Sequence, residues 1–238
     1  KLRAFLNVDC WQLFGGSWGS TLALIYAQNH QSRVLSLILR GIFLLRMQEL
    51  EWFYQKGCNW IFPEAYDQLV APLSAAERND VISAYYDRLR HPDEAVRARA
   101  AKGWSAWEAA TMSLNPMRGR TDLFESEQSV LAFARIEAHY FKHAGFMSHD
   151  GQVLHQVPRM AHLPGTLVHG RYDVITPLRN ALDLAAVWPA ANLQIVERAG
   201  HAMSEVGITS ALLAATRHHQ QYATRPDPEL GSVGSSAS

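Results

Sequence analysis

The 238-residue chain, 48% hydrophobic, is long enough to bury a substantial core as one large domain or as a domain with an insertion. Lys and Arg total 22, as do Asp and Glu, so bulk charge offers no attraction to nucleic acid or an anionic membrane and points to a neutral or small partner. The chain shows no basic-then-apolar leader and no long uncharged apolar run, and Cys10 and Cys58 allow at most one bridge; a reduced, cytoplasmic setting is the simpler expectation.

Residues 1–7 read as the end of an amphipathic helix, with Leu2 and Leu6 on one face. A short apolar strand, expected to be buried, follows from Cys10 to Phe14 and runs into Gly15-Gly16-Ser17-Trp18-Gly19. Thr21 to His30 has the pattern of a largely buried helix, and Arg33 to Arg40 that of a parallel strand covered on both faces. Strand, turn, helix and strand make a βαβ unit. After Gly41 the texture changes. Segments near Gln48 to Ile61, Ser74 to Arg90, Asp93 to Leu114 and Ser129 to His143 carry helical spacing, broken by Pro63, Pro72, Pro92 and Pro116 and by a polar loop over 118–128. The α/β rhythm resumes with strands at Thr166 to His169 and Asn192 to Glu197, and helices at Pro177 to Trp188 and Ser204 to His218, the last opening on a serine cap. The expected organisation is therefore an α/β core in two parts, 1–42 and 156–223, an all-helical cap at 43–155, and a disordered tail at 224–238.

Between a strand and a helix, a G-x-S-x-G string reads as a nucleophile elbow, in which a strained turn presents the Ser17 hydroxyl at the carboxyl edge of the sheet. Asp173 and His201 each follow a later strand and reach the same edge. Each residue has a plainer reading alone, Asp173 as a turn cap and His201 as a loop histidine. Together, in the order Ser, Asp, His, they form the triad of an α/β-hydrolase: His201 takes the Ser17 proton, Asp173 holds the imidazole, and the Trp18 N–H is one oxyanion donor. His218, His219 and the scattered histidines lack metal-ligand spacing, so neither a metal nor another cofactor is expected.

Over GGSWGSTLALIYAQNHQSRVLSLILRGIFLLR at Gly15 to Arg46, WSAWEAAT at Trp104 to Thr111, LAFARIEAHYF at Leu131 to Phe141, VHGRYD at Val168 to Asp173 and AGH at Ala199 to His201, the chain resembles the prolyl iminopeptidase family of α/β-hydrolase serine peptidases. That resemblance implies release of N-terminal proline from small peptides. It implies that Glu108 and Glu137 hold the substrate's free amine and that Phe43 lines the slot for the pyrrolidine ring, with Trp104 and Phe53 as weaker candidates. Glu108 is singled out by its residues as well, being the only charge between Gly103 and Leu114. A carboxylate there requires a cation or a raised pKa, unless it faces solvent or pairs with a cap arginine.

Departures from the family pattern are also visible. Thr176 and Ala202 stand where relatives carry a cysteine and a serine, which implies lower sensitivity to thiol reagents. The H-G-G-P-type loop that gives the family its second oxyanion donor is not in the sequence, nor are the strands that precede it. The chain therefore reads as N-terminally truncated, weakly active or unstable by itself. A capped carboxylesterase and a non-catalytic fragment are the rival readings.

Overall fold

The computed structural model describes residues 1–114 and 126–223. Pro116, the 118–125 part of the predicted loop, and the predicted tail at 224–238 lie outside the described residues.

In chain order the elements are α1 (Leu2–Phe5), β1 (Trp11–Ser17), α2 (Trp18–Asn29), β2 (Val34–Ile42), α3 (Met47–Tyr54), α4 (Pro63–Val70), α5 (Val81–Arg88), α6 (Glu94–Thr111), α7 (Glu127–Lys142), α8 (Gln152–His155), β3 (Gly165–Gly170), α9 (Leu178–Val187), β4 (Ala191–Val196) and α10 (Val206–His219). The four strands form one parallel sheet in the order β1-β2-β3-β4. Helices α2 and α9 cover one face, where Leu24 and Ala27 meet Leu37, Leu39 and Leu167. Helix α10 covers the other, with Ile208 and Leu212 against Ile38 and Val168. Strand β3 is buried along its whole length for that reason. Strand β1 lies at the margin, and Phe14 there is 54% exposed.

Among the described residues between β2 and β3 every regular element is helical. These helices bury an aromatic core of their own, including Phe53, Tyr54, Tyr85, Trp104 and Trp107. An α/β-hydrolase core with an all-helical cap is thus the fold, as the sequence pattern implies.

Local differences have physical causes. Pro63 opens α4 instead of breaking a helix: at the first helical position its missing N–H is no loss and its fixed φ is helical. The helix expected from Gln48 to Ile61 stops at Tyr54, near Gly57 (φ 154), over which the Trp52 ring is packed so closely that a Cβ would lie 2.2 Å from it. The 74–90 helix begins at Val81, because the Asp80 carboxylate caps the Ser83 N–H. Ser126 caps α7 in the same way, through the Ser129 N–H. Ser204 caps nothing: Glu205 stands at the N-cap of α10, and its carboxylate is turned back to Gly200. Cys10 precedes β1 and is only partly buried, contrary to the expected buried strand position.

Candidate active site

Strand β1 continues through both glycines to Ser17, further than the apolar pattern suggested. Ser17 has φ 56 and ψ −125, a conformation that non-glycine residues rarely hold and that the surroundings must enforce. A Cβ on Gly15 would lie 2.3 Å from the Gly19 carbonyl oxygen, so only glycine lets α2 turn back so tightly. Gly19 itself faces open space. The Ser20 hydroxyl donates to the Ser17 carbonyl (2.7 Å) and accepts the Phe43 N–H (3.1 Å), while Thr21 Oγ1 donates to the Phe43 carbonyl (2.7 Å). The elbow is thereby tied to the exit of β2. As the first residue of α2, Trp18 has an N–H with no intrahelical acceptor, suited to a developing anion.

The loops after β3 and β4 bring Asp173 and His201 together at 2.8 Å, Oδ2 to Nδ1, both buried. Asp173 Oδ1 accepts the N–H groups of Ile175 (3.1 Å) and Thr176 (2.9 Å), and Oδ2 also accepts from Thr176 Oγ1 (3.0 Å). Burial alone would push this carboxyl up; the His201 charge and hydrogen bond, with the Thr176 N–H, outweigh it and hold Asp173 below its ordinary value. No hydrogen bond joins His201 to Ser17 Oγ here, a contact that commonly tightens only around substrate.

Three residues shape this corner from below. His169 accepts the Ile42 N–H at Nδ1 (3.1 Å) and donates from Nε2 to the Thr176 carbonyl (2.7 Å), which makes it a neutral strut between β2 and the Asp173 loop. Burial pushes its pKa down, against the pull of Asp173. Arg40 donates to the His201 carbonyl (2.8 Å), and its burial likewise lowers its pKa. Gly41, at φ 52, leaves room for the imidazole: a Cβ there would sit 2.8 Å from His201 Cε1.

Above the elbow a narrow cleft runs from Ser17, Trp18 and Phe43 to Glu108 and Glu137 in the cap. Helix α6 supplies Glu108 and α7 supplies Glu137. Tyr54 donates to Glu108 Oε1 (2.5 Å) and Trp104 Nε1 donates to Glu137 Oε2 (2.9 Å). Neither glutamate makes an ion pair with a cation among the described residues, so Glu108 neither faces water nor pairs with a cap arginine. Burial raises Glu108 to about 7 despite the Tyr54 hydrogen bond. Burial raises Glu137 well above the carboxylate range as well, reinforced by the charge of Glu108. Phe43 and Phe53 line the cleft, whereas Trp104 lies behind it, stacked on Tyr54 at 4.5 Å.

A family model described as the alpha/beta hydrolase fold matches residues 1–207. The proline iminopeptidase of Xylella fastidiosa (strain 9a5c) is 50% identical over 216 residues, covering 91% of this chain and 69% of that protein. A probable proline iminopeptidase of Leptolyngbya boryana is also 50% identical, covering 91% of this chain and 67% of that protein. The chain belongs to the proline iminopeptidase family. It spans about two thirds of the length of these two relatives. Among solved structures, an esterase from Exiguobacterium antarcticum superposes with a TM-score of 0.57 at 16% identity, over 92% of this chain and 70% of that one, which shows the shared fold.

Within this family member the structure places the seven residues singled out from the sequence in two groups: Asp173 and His201 as a bonded pair, and Ser17, Trp18, Phe43, Glu108 and Glu137 around one cleft, with Thr176 touching both. Sequence reasoning missed Tyr54, His169, Arg40 and Gly41. Only His169 carried a local signal, as the histidine preceding Gly170 in the VHGRYD string.

Proposed function

We propose that this chain is a serine aminopeptidase releasing N-terminal proline from small peptides through an acyl-enzyme. One observation carries the reading: the cleft that starts at Ser17 ends on two carboxyl groups, Glu108 buried and Glu137 half-buried, neither ion-paired with a cation among the described residues. A prolyl N-terminus is a secondary ammonium with two N–H protons, which matches two acceptors; Phe43 and Phe53 offer apolar walls for the ring. With the amine so held, the scissile carbonyl lies over Ser17. His201, held by Asp173, removes the Ser17 proton as the hydroxyl attacks, then protonates the departing amine, and water repeats the cycle on the acyl-enzyme.

Trp18 supplies one oxyanion donor, and such a donor is worth about 2.7–4 kcal/mol, a factor of roughly 10²–10³ in rate. The free thiols of Cys10 and Cys58 support a reducing, cytoplasmic setting.

The test compares prolyl-arylamide, its N-acetyl derivative and a simple aryl ester. Slow cleavage of the free prolyl substrate, none of the acetylated one, and loss of all activity in Ser17→Ala are expected. Equal cleavage of the free and acetylated compounds would make the chain a capped esterase instead.

A further inference from the structure

Thr176 is the residue of the Asp173 loop whose polar atoms are all committed to the acid and the base. Its N–H donates to Asp173 Oδ1 (2.9 Å) and its carbonyl accepts from His169 Nε2 (2.7 Å). Its hydroxyl donates to Asp173 Oδ2 (3.0 Å), which leaves the Oγ1 lone pairs directed to His201 Nδ1 at 3.2 Å. The side chain is 2% exposed and lies against the cleft, so water does not compete for these bonds.

A hydroxyl in that position acts on both partners. Oδ1 is fixed by two backbone N–H groups, whereas Oδ2, the oxygen that meets His201, has the Thr176 hydroxyl as its other close donor. The Nδ1–H of His201 thus lies between two acceptors, Oδ2 and Oγ1, which restricts rotation of the ring in its own plane. Arg40 and His169 are the nearest other charged or titratable groups around the pair among the described residues, with Cys58 within electrostatic reach of Asp173, and Arg40 holds the His201 backbone, not the ring.

We infer that Thr176 is a positioning residue of the catalytic pair, its hydroxyl setting the orientation of Asp173 Oδ2 and of the His201 ring through a three-way hydrogen bond. The inference rests on the triad reading above. The hydroxyl acts on the chemical step and leaves the amine-binding end of the cleft untouched, so its removal changes kcat and not KM.

The experiment uses the 238-residue chain with Thr176→Val, which keeps the volume and removes the hydroxyl, and Thr176→Ser, which keeps the hydroxyl. Thermal melts confirm that both fold. The rate of Ser17 labelling by a fluorophosphonate is measured beside prolyl-arylamide kinetics. The valine variant is expected to lose about ten- to hundredfold in labelling rate and kcat, the worth of one hydrogen bond to a charged carboxylate, with KM within about twofold of wild type. The serine variant is expected to stay within about twofold of wild type throughout. Wild-type rates in the valine variant overturn the inference, and so does a serine variant as slow as the valine one, which would assign the effect to the methyl group. Failure of the wild type to label at Ser17 removes the triad reading itself, an outcome distinct from either.

Discussion

Replacing Glu108 by glutamine isolates the charge of the amine site, because the amide oxygen keeps an acceptor for Tyr54 while ionisation is lost. Burial lifts Glu108 from 4.5 to about 7. That rise corresponds to about 3 kcal/mol. The folded chain therefore holds a proton that the unfolded chain releases. The associated stability is complete below pH about 4.5 and is lost as pH rises through about 7. Glu137 is shifted in the same direction, in part by Glu108, so the substitution also relaxes its shift. Cys58 and Tyr54, the neighbouring titrating groups, are both raised, Cys58 to about 12, and stay protonated across the window. Urea unfolding at pH 5 and pH 8 is then expected to show wild type losing about 2.5 kcal/mol more than Glu108→Gln between the two. Under the proposed function, the same variant leaves a buried ammonium short of a counter-charge and loses on the order of 10²–10³ in kcat/KM on prolyl-arylamide. Stability curves that run parallel for the two proteins would refute the reasoning, since they would mean that Glu108 is already ionised or already solvated in the empty cleft.

Gly41→Ala forces a Cβ to within 2.8 Å of His201 Cε1 at a residue with φ 52. A stability loss of about 1–2 kcal/mol is expected, together with more than roughly tenfold loss of Ser17 labelling as the imidazole is displaced; labelling at the wild-type rate would show that the ring has room to move. Arg46 bonds Glu49 (2.5 Å) and Asp183 (2.8 Å), joining the start of α3 to α9, and Asn180 completes the cluster by donating to Glu49 (2.7 Å). Arg46→Ala leaves Glu49 buried and unpaired, so chemical denaturation is expected to register a loss of about 3 kcal/mol or more, and a change under about 1 kcal/mol would show that water replaces the guanidinium.

The parts of the fold legible in the sequence were those where one periodicity governs a whole element. The Val-Leu-Ile run of β2 and the apolar spacing of α2 are cases where burial on a sheet leaves little choice of residue. Boundaries were less legible, because they depend on local chemistry that periodicity ignores. Pro63 starts a helix or stops one according to which side of it the chain turns, and Asp80 shortens α5 through its side-chain bonds to Ser83. In the site, Ser17, Asp173 and His201 could be read from order and from strand ends. His169, Tyr54 and Arg40 could not: each acts through a partner distant in the chain, as Tyr54 does on Glu108 and Arg40 on His201. A histidine in a buried strand or an aromatic residue on a packed helix looks like core until its partner is known.

Glu108, Glu137 and Tyr54 all lie within one continuous stretch between β2 and β3, and Asp173, His201 and Ser17 all lie outside it. On the proposed function, what chooses the substrate is therefore encoded by one span, inserted between the two spans that encode what cleaves it. Exchange of that single span for another helical segment would give the same acyl-transfer machinery a different clientele, with Phe43 and the Arg46 cluster marking the seam at which a new cap has to fit.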